Sequence, residues 1–222
     1  MPEPHAVLPM AVTQQSDTHA CVGALTADGQ WVRPEPVPLE QVRDRTGSPW
    51  RYNRWTAVDL GEPTVADPRP EDRELCAEPR PAEHWSAARC REWTDRYVDR
   101  GVHEALGGQR SLGMVYADLH RVFTRRATRG RVFLRFAFSD ATGEEFDWIV
   151  PDVDTSGPLL ARAEDGALPD DVARHARDSL LRNGPLLLTL GLTRPNNRFP
   201  GKFRGCHPLV VGVHPAPVAA VE

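Results

Sequence analysis

The sequence has a single lysine, only four cysteines and no long hydrophobic run, and each of these features limits the classes of protein to which the chain can belong. Lys202 is the only lysine among 27 basic residues. This bias is typical of GC-rich genomes, so the number of arginines does not by itself indicate a nucleic-acid partner. No apolar stretch approaches the roughly 18–20 residues of a membrane-crossing helix, and the N-terminus lacks the basic start and apolar core of a secretory signal. The sequence therefore predicts a cytoplasmic protein with no membrane partner.

The four cysteines form no ligand pattern. They are Cys21, Cys76, Cys90 and Cys206, with no C-x-x-C pair and no cysteine–histidine pair at zinc spacing. Because cytoplasmic thiols stay reduced, we expect free cysteines rather than disulfides or a metal site. The glycine-rich phosphate and dinucleotide loops and the G-x-S-x-G nucleophile motif are missing as well. No catalytic residue, metal or cofactor is therefore predicted.

Carboxylates in the second half suggest one alternative, a metal-dependent nuclease. Asp152 and Asp154 can share one side of an extended segment close to Asp147, and paired carboxylates can hold magnesium. No third ligand or catalytic lysine accompanies them. A solvated acidic strand end is therefore the favoured interpretation.

The first half consists of short apolar stretches separated by turn signals. The stretches are residues 6–14, 19–25 and 54–61. Asp28-Gly29 is a strong tight-turn pair between two of the predicted strands. From residue 82 to 106 the spacing becomes helical, with Trp85, Trp93 and Tyr97 among charged residues, and Gly107-Gly108 ends the pattern. We predict an N-terminal OB-like domain over residues 1–81 and a linker helix within 82–108.

The second half has the order of strands and helix of an OB-fold, a five-stranded Greek-key barrel. Three predicted strands come first, then a helix that begins near Pro169, then two apolar strands. The strands are residues 112–123, 131–138, 145–150, 186–192 and 207–213. We assign residues 109–217 to this C-terminal domain and 218–222 to a flexible tail. The predicted fold is mainly β, with two OB-like Greek-key barrels joined by a helical linker.

Positive charge concentrates on two predicted loops. OB-folds bind oligonucleotides with the loops that join strands 1–2 and 4–5, which here are residues 124–130 and 192–205. Neither loop contains an acid, although the net charge of the chain is −4. The candidate binding residues on them are Arg125, Arg126, Arg129, Arg194, Arg198, Phe199, Lys202, Phe203 and Arg204. Cations neutralise phosphates and rings stack on bases, so the loops predict a nucleic-acid interface.

The aromatic candidates have structural alternatives. Trp31 together with Arg33 can clamp a base, or Trp31 can be a core residue beside an edge proline. Phe199 and Phe203 can stack on bases, or both rings can fix a long loop against the barrel. The sequence leaves these alternatives open.

Three short stretches resemble the bacterial family of dual-OB-containing domain proteins. They are Gly29-Gln30-Trp31-Val32-Arg33-Pro34, similar to its G-x-W-[IV]-R-P hairpin; Pro68-Arg69-Pro70-Glu71-Asp72, similar to its x-x-P-E-[ND] segment; and residues 188–194 with 207–213, similar to its closing strand pair L-x-[VI]-[GS]-L…V-x-G-[VI]. The resemblance implies two OB-like barrels and nucleic-acid binding in a bacterial setting such as defence or mobile-element loci. Met10-Ala11-Val12 replaces the family's cysteine-rich start, so the resemblance implies no cysteine-dependent role.

These observations predict a non-catalytic module that binds single-stranded or structured RNA or DNA. The first alternative is an accessory subunit that docks on a protein partner encoded nearby, because a pI of about 6.1 is low for a dedicated nucleic-acid binder. The second alternative is an enzyme that processes nucleotides or nucleic acids through an unrecognised site.

Overall fold

A computed structural model describes residues 5–43, 47–63, 69–128, 130–198 and 200–218. The chain is mainly β, with 46% strand and 20% helix. The strands are β1 His5–Gln14, β2 His19–Thr26, β3 Trp31–Glu35, β4 Val37–Pro38, β5 Arg54–Val58, β6 Leu60–Pro63, β7 Asp72–Leu75, β8 Arg80–His84, β9 Leu112–Arg126, β10 Val132–Asp140, β11 Glu145–Ile149, β12 Leu186–Leu192 and β13 Pro208–His214. The helices are α1 Glu40–Arg43, α2 Ala87–Thr94, α3 Val102–Gly107, α4 Val153–Leu160 and α5 Asp170–Leu181. Within the described ranges, none of these helices is long and apolar enough to cross a membrane.

The first half forms a curled sheet of eight strands. Their order is β6-β7-β3-β2-β1-β5-β8, and β4 pairs with β2. β3 and β7 are parallel, whereas the other pairs are antiparallel. Because only Asp59 separates β5 from β6, the first and the next-to-last strand of this order belong to almost the same stretch of chain. The interior holds small branched side chains such as Val7, Val22 and Val58.

The second half forms a five-stranded antiparallel sheet in the order β11-β10-β9-β12-β13. The five strands predicted from the sequence are present, and α4 and α5 lie between the third and the fourth. Phe136, Phe138, Leu186 and Leu188 are fully buried in one core. Every residue of β12 is buried, which accounts for its continuous apolar run, since a strand covered on both faces has no polar side.

The segment between the halves is not the single helix that the spacing predicts over residues 82–106. β8 reaches His84 as part of the first sheet, and two short helices, α2 and α3, follow it. The second helix starts where the Asp140 carboxylate of β10 accepts a hydrogen bond from the Val102 amide at 2.8 Å. A side chain at Gly101 would approach that carboxylate to 2.8 Å. Helical spacing cannot reveal a cap supplied by a distant strand.

One apolar cluster joins all three parts of the chain. It contains Leu8, Met10 and Trp55 from the first half, Trp85, Trp93 and Tyr97 from the connecting segment, and Leu112, Met114 and Leu187 from the second half. The ring centroids of Trp55 and Trp93 lie 5.2 Å apart, edge to face. The connecting segment therefore bridges both halves and shares a core with them.

Candidate functional site

The outer surface of β9 and β10 alternates arginine with phenylalanine. The pattern R-V-F-x-R occurs at residues 121–125 and again at 131–135. Because successive strand side chains point to opposite faces, Val122 is buried while the arginines and the phenylalanine share the outer face. The register places Arg125 opposite Phe133 and Phe123 opposite Arg135. We call these six side chains the Arg/Phe face: Arg121, Phe123, Arg125, Arg131, Phe133 and Arg135.

Both rings of the Arg/Phe face are half-buried and carry a guanidinium group above them. The Cζ atom of Arg121 lies 4.1 Å from the centre of the Phe123 ring, and that of Arg131 lies 5.0 Å from the centre of Phe133. Arg125 on the same face is exposed. A cation–π contact at an exposed site is worth only about 0.5–1 kcal/mol, so a nucleobase can displace the guanidinium or stack beside it. Stacking platforms for single strands combine rings and cations in this way.

A groove of about 780 Å³ borders this face, between β11 and the loop that joins β12 to β13. At its edge Arg135 Nε donates to Asp147 Oδ1 at 2.7 Å. Glu144 and Glu145 line the groove together with Lys202, which is exposed. The groove therefore has mixed charge, unlike the Arg/Phe face, whose charged side chains are all arginines.

Phe203 fixes the β12–β13 loop against the second core. Its half-buried ring lies 6.2 Å from that of Trp148 and 5.8 Å from that of His103, measured between centroids. This position matches the structural alternative for Phe203 rather than a free stacking surface. The other predicted ring, Phe199, lies outside the described residues.

Two predicted cations of the same loop, Arg194 and Arg204, make side-chain contacts with other parts of the chain, and the backbone of Arg198 makes a contact within the loop. Arg204 donates to the carbonyls of Gln109 at 3.0 Å and Arg110 at 2.7 Å, Arg194 pairs with Glu35 at 3.1 Å, and the Arg198 amide donates to Asn196 Oδ1 at 3.1 Å. Arg204 thus ties the loop to the chain before β9, and Arg194 ties it to the first half. The loop is held in place by the arginines that the sequence assigned to ligand binding.

The predicted 124–130 loop is a tight turn, because β9 continues to Arg126. Arg126 donates to the carbonyl oxygens of Asp165 at 2.6 Å and Gly130 at 3.3 Å. Arg125 is the predicted cation of this loop that stands on the Arg/Phe face. Arg129 lies outside the described residues.

Trp31 and Arg33 are buried, so neither forms part of an exposed clamp. Trp31 is 7% exposed and belongs to the cluster shared by the two halves, which is the core alternative stated above. Arg33 is 2% exposed and donates to Asp72 Oδ1 at 2.8 Å and Ser111 Oγ at 3.1 Å. Their role in the described fold is structural.

Two of the stretches that carry the family resemblance meet in this buried network. The Arg69 guanidinium pairs with Glu35 at 2.6 Å and Asp72 at 3.2 Å. Glu71 accepts hydrogen bonds from the Ser111 amide at 2.6 Å and the Ser111 hydroxyl at 2.7 Å. Since Ser111 immediately precedes β9, these polar contacts connect the first half to the start of the second sheet.

A second polar cluster between the halves contains Tyr52, Asp152 and His214. The Tyr52 hydroxyl donates to Asp152, and its ring lies edge-on to His214 with 4.7 Å between centroids. His214 Nε2 lies 2.9 Å from the Met10 carbonyl oxygen. Asp152 also caps α4 through the Thr155 amide. Among the described residues no group of three or more side chains is arranged to hold a metal ion.

The pKa values of Asp152 and His214 shift in opposite directions, and the two shifts have opposite effects on how stability changes with pH. Burial raises the pKa of Asp152 to about 6, so this carboxyl stabilises the fold below its unfolded pKa and loses that contribution as pH rises through 6. Burial lowers the pKa of His214 to about 4, so the imidazole stabilises the fold above 6.5 and loses that contribution as pH falls toward 4.

Without the Asp152 carboxyl, the stability that His214 loses as pH falls should no longer be offset. Between pH 7 and pH 5, we expect Asp152→Asn to lose about 1 kcal/mol more unfolding free energy than the wild type does. Urea unfolding at both pH values measures the difference. Asp118→Asn, on the exposed part of β9, is the control and should follow the wild type. Parallel losses in Asp152→Asn and wild type would contradict the opposing shifts.

The predicted loops contain Arg125 but not the other five residues of the Arg/Phe face, which are Arg121, Phe123, Arg131, Phe133 and Arg135. The sequence does contain a signal for this face: R-V-F-x-R occurs at residues 121–125 and again at 131–135, and within each copy arginine and phenylalanine recur with a period of two. Only the register shows that the two copies are neighbours on one surface. No protein-family model matches this chain, and no curated protein matches it at a significant level.

Proposed function

We propose that this chain is a non-catalytic module that binds single-stranded nucleic acid on the Arg/Phe face. The observation that carries the proposal is the pair of R-V-F-x-R strands, which bring three exposed arginines, Arg121, Arg125 and Arg131, together with two half-buried rings. Arginines neutralise phosphates along a strand, and the rings stack on bases of any sequence. Duplexes fit this surface less well, because their bases are already stacked on one another.

Strand orders that resemble those of an OB-fold support the same proposal. In the second half the order of strands is that of an OB-fold, and β11 lies beside β13, where such a barrel closes. In the first half β1, β2, β3, the bent β5–β6 stretch and β7 follow a similar order, with β7 parallel to β3. OB-folds bind oligonucleotides on the face of strands 2–3; β10, which carries one of the two R-V-F-x-R copies, occupies the position of strand 2, and β9 occupies that of strand 1.

Removing either ring should weaken binding without changing its dependence on salt. We expect Phe123→Ala and Phe133→Ala each to weaken binding of a fluorescent oligouridylate about tenfold, since a stacked base is worth roughly 1–3 kcal/mol. Arg125→Gln should instead flatten the log–log dependence on salt by about 0.7 for each phosphate that is no longer neutralised. Fluorescence anisotropy at several salt concentrations measures both quantities.

Two controls separate binding from folding. Arg174→Gln removes an exposed charge from α5, away from the Arg/Phe face, and should bind like the wild type. Phe123→Leu keeps most of the apolar volume but no ring, so it should lose affinity while its thermal melt stays close to wild type. Wild-type protein that does not bind at low salt, or whose binding is insensitive to salt, would contradict the proposal.

A further inference from the structure

A cleft of about 530 Å³ lies between the two halves. Thr13 and Gln14 at the end of β1 line one side, and Leu192 and Thr193 at the end of β12 line the other. The floor includes Gly23, where an added Cβ would lie 3.1 Å from the Leu112 side chain. Both halves are therefore needed to form the cleft, and its walls combine hydroxyl, amide and apolar groups.

The charged groups that line the cleft are all positive. Arg33, Arg69, Arg131 and Arg194 contribute to the lining, and no acidic side chain does so in the described part of the chain. Carboxylates pair with three of these arginines: Asp72 pairs with Arg33 and Arg69, and Glu35 pairs with Arg69 and Arg194. Glu71 lies close to Arg33 as well. Four guanidinium groups against these three carboxylates leave an excess of positive charge.

Two of the four arginines can turn toward a ligand. Arg33 and Arg69 are buried and fixed by their ion pairs. The Arg194 side chain is 64% exposed, and its pair with Glu35 is one that solvent weakens. Arg131 is exposed, and its guanidinium rests on the Phe133 ring. Because Asp72, Glu71 and Glu35 neutralise Arg33 and Arg69, the excess positive charge belongs to Arg131 and Arg194, and charge-assisted hydrogen bonds from such guanidinium groups favour phosphate.

We infer that the cleft between the halves binds the phosphate of a nucleotide, with Arg131 and Arg194 as its ligands and the base against the apolar wall. Leu112, Leu192 and Val211 supply that wall. The phosphate can belong to a free nucleotide or to the end of a strand, because Arg131 also stands on the Arg/Phe face. The inference does not depend on strand binding to that face.

Two probes distinguish the sources of the phosphate. Isothermal titration of the full chain with adenosine diphosphate tests the free nucleotide. Anisotropy with an oligothymidylate that carries either a 5′-phosphate or a 5′-hydroxyl group tests the strand end. We expect at least one phosphate-dependent signal, and we expect Arg194→Gln and Arg131→Gln each to weaken it about tenfold. Arg174→Gln is the control for charge, and thermal melts confirm that the variants, altered at exposed side chains, remain folded.

Each outcome decides between the two proposals. Binding of the diphosphate that fails in Arg194→Gln supports the cleft as a nucleotide site, even when the oligonucleotide with a 5′-hydroxyl group does not bind. A preference for the 5′-phosphate that disappears in Arg194→Gln supports the cleft as a site for strand ends. The inference is overturned when the diphosphate does not bind and the 5′-phosphate adds no affinity, or when both arginine variants bind like wild type. In that case binding of the 5′-hydroxyl strand still supports the Arg/Phe face.

Discussion

Gly212→Ala is expected to lower the free energy of unfolding by about 3 kcal/mol or more, the range of severe overpacking. Gly212 lies on β13, where this strand passes the first half. A Cβ atom at this position would lie 2.0 Å from the Met10 carbonyl oxygen of β1. The obstacle is backbone rather than a side chain that can rotate, so the two halves would have to move apart. The apolar cluster that they share would then pack less tightly.

Chemical denaturation measures this loss, and a second glycine supplies the matched control. Gly107 is the last residue of α3, and an added Cβ would meet no described atom within 4 Å outside its own helix and chain neighbours. Gly107→Ala should therefore be neutral or stabilising by up to about 1 kcal/mol, because alanine favours the helix. A Gly212→Ala variant with wild-type stability would show that β1 and β13 do not approach each other closely at this position.

Glu71→Ala is the second substitution with a large expected effect, a loss of about 3–5 kcal/mol of unfolding free energy. Glu71 is 4% exposed, and its carboxylate accepts both hydrogen bonds of Ser111, which is itself fully buried. Removing the carboxylate leaves a buried amide and hydroxyl without these acceptors. It also removes a negative charge that favours the buried Arg33 guanidinium. The hydrogen bonds that Ser111 donates to Glu71, which connect the two halves, would thus be lost.

Two further variants make the measurement specific. Glu74→Ala removes an exposed carboxylate from β7, three residues away, and should change stability by less than about 0.5 kcal/mol. Glu71→Gln retains an amide oxygen that can accept one of the two bonds, so we expect an intermediate loss. Equal stability of Glu71→Ala and Glu74→Ala in urea unfolding would contradict a structural role for this carboxylate.

The positions of Gly212 and Glu71 show why short sequence patterns are a better guide to the fold than to the binding site. Gly212 and Glu71 belong to two of the short stretches singled out in the sequence, and the structure gives both a role between the halves. Trp31 and Arg33 come from another such stretch and are likewise buried. A binding clamp also contains an aromatic ring beside a cation, so Trp31 and Arg33 look like a clamp when their contacts within the chain are not known. Buried ion pairs and phosphate-binding sites contain the same residue types, so residue type alone cannot distinguish one from the other.

The strands of the second half were determined by the sequence itself, because hydrophobic period and turn residues are local properties. β12 is apolar except for Thr189 and β10 alternates, and both patterns follow from which faces are covered. Only the tertiary structure decided which arginines face solvent, because that depends on carboxylates and carbonyls far away in the chain. Glu35 reaches Arg194, and Asp165 reaches Arg126. The Arg/Phe face likewise exists only through the pairing of β9 with β10, since strand register places Arg125 beside Phe133 and Phe123 beside Arg135, which the sequence keeps eight and twelve positions apart.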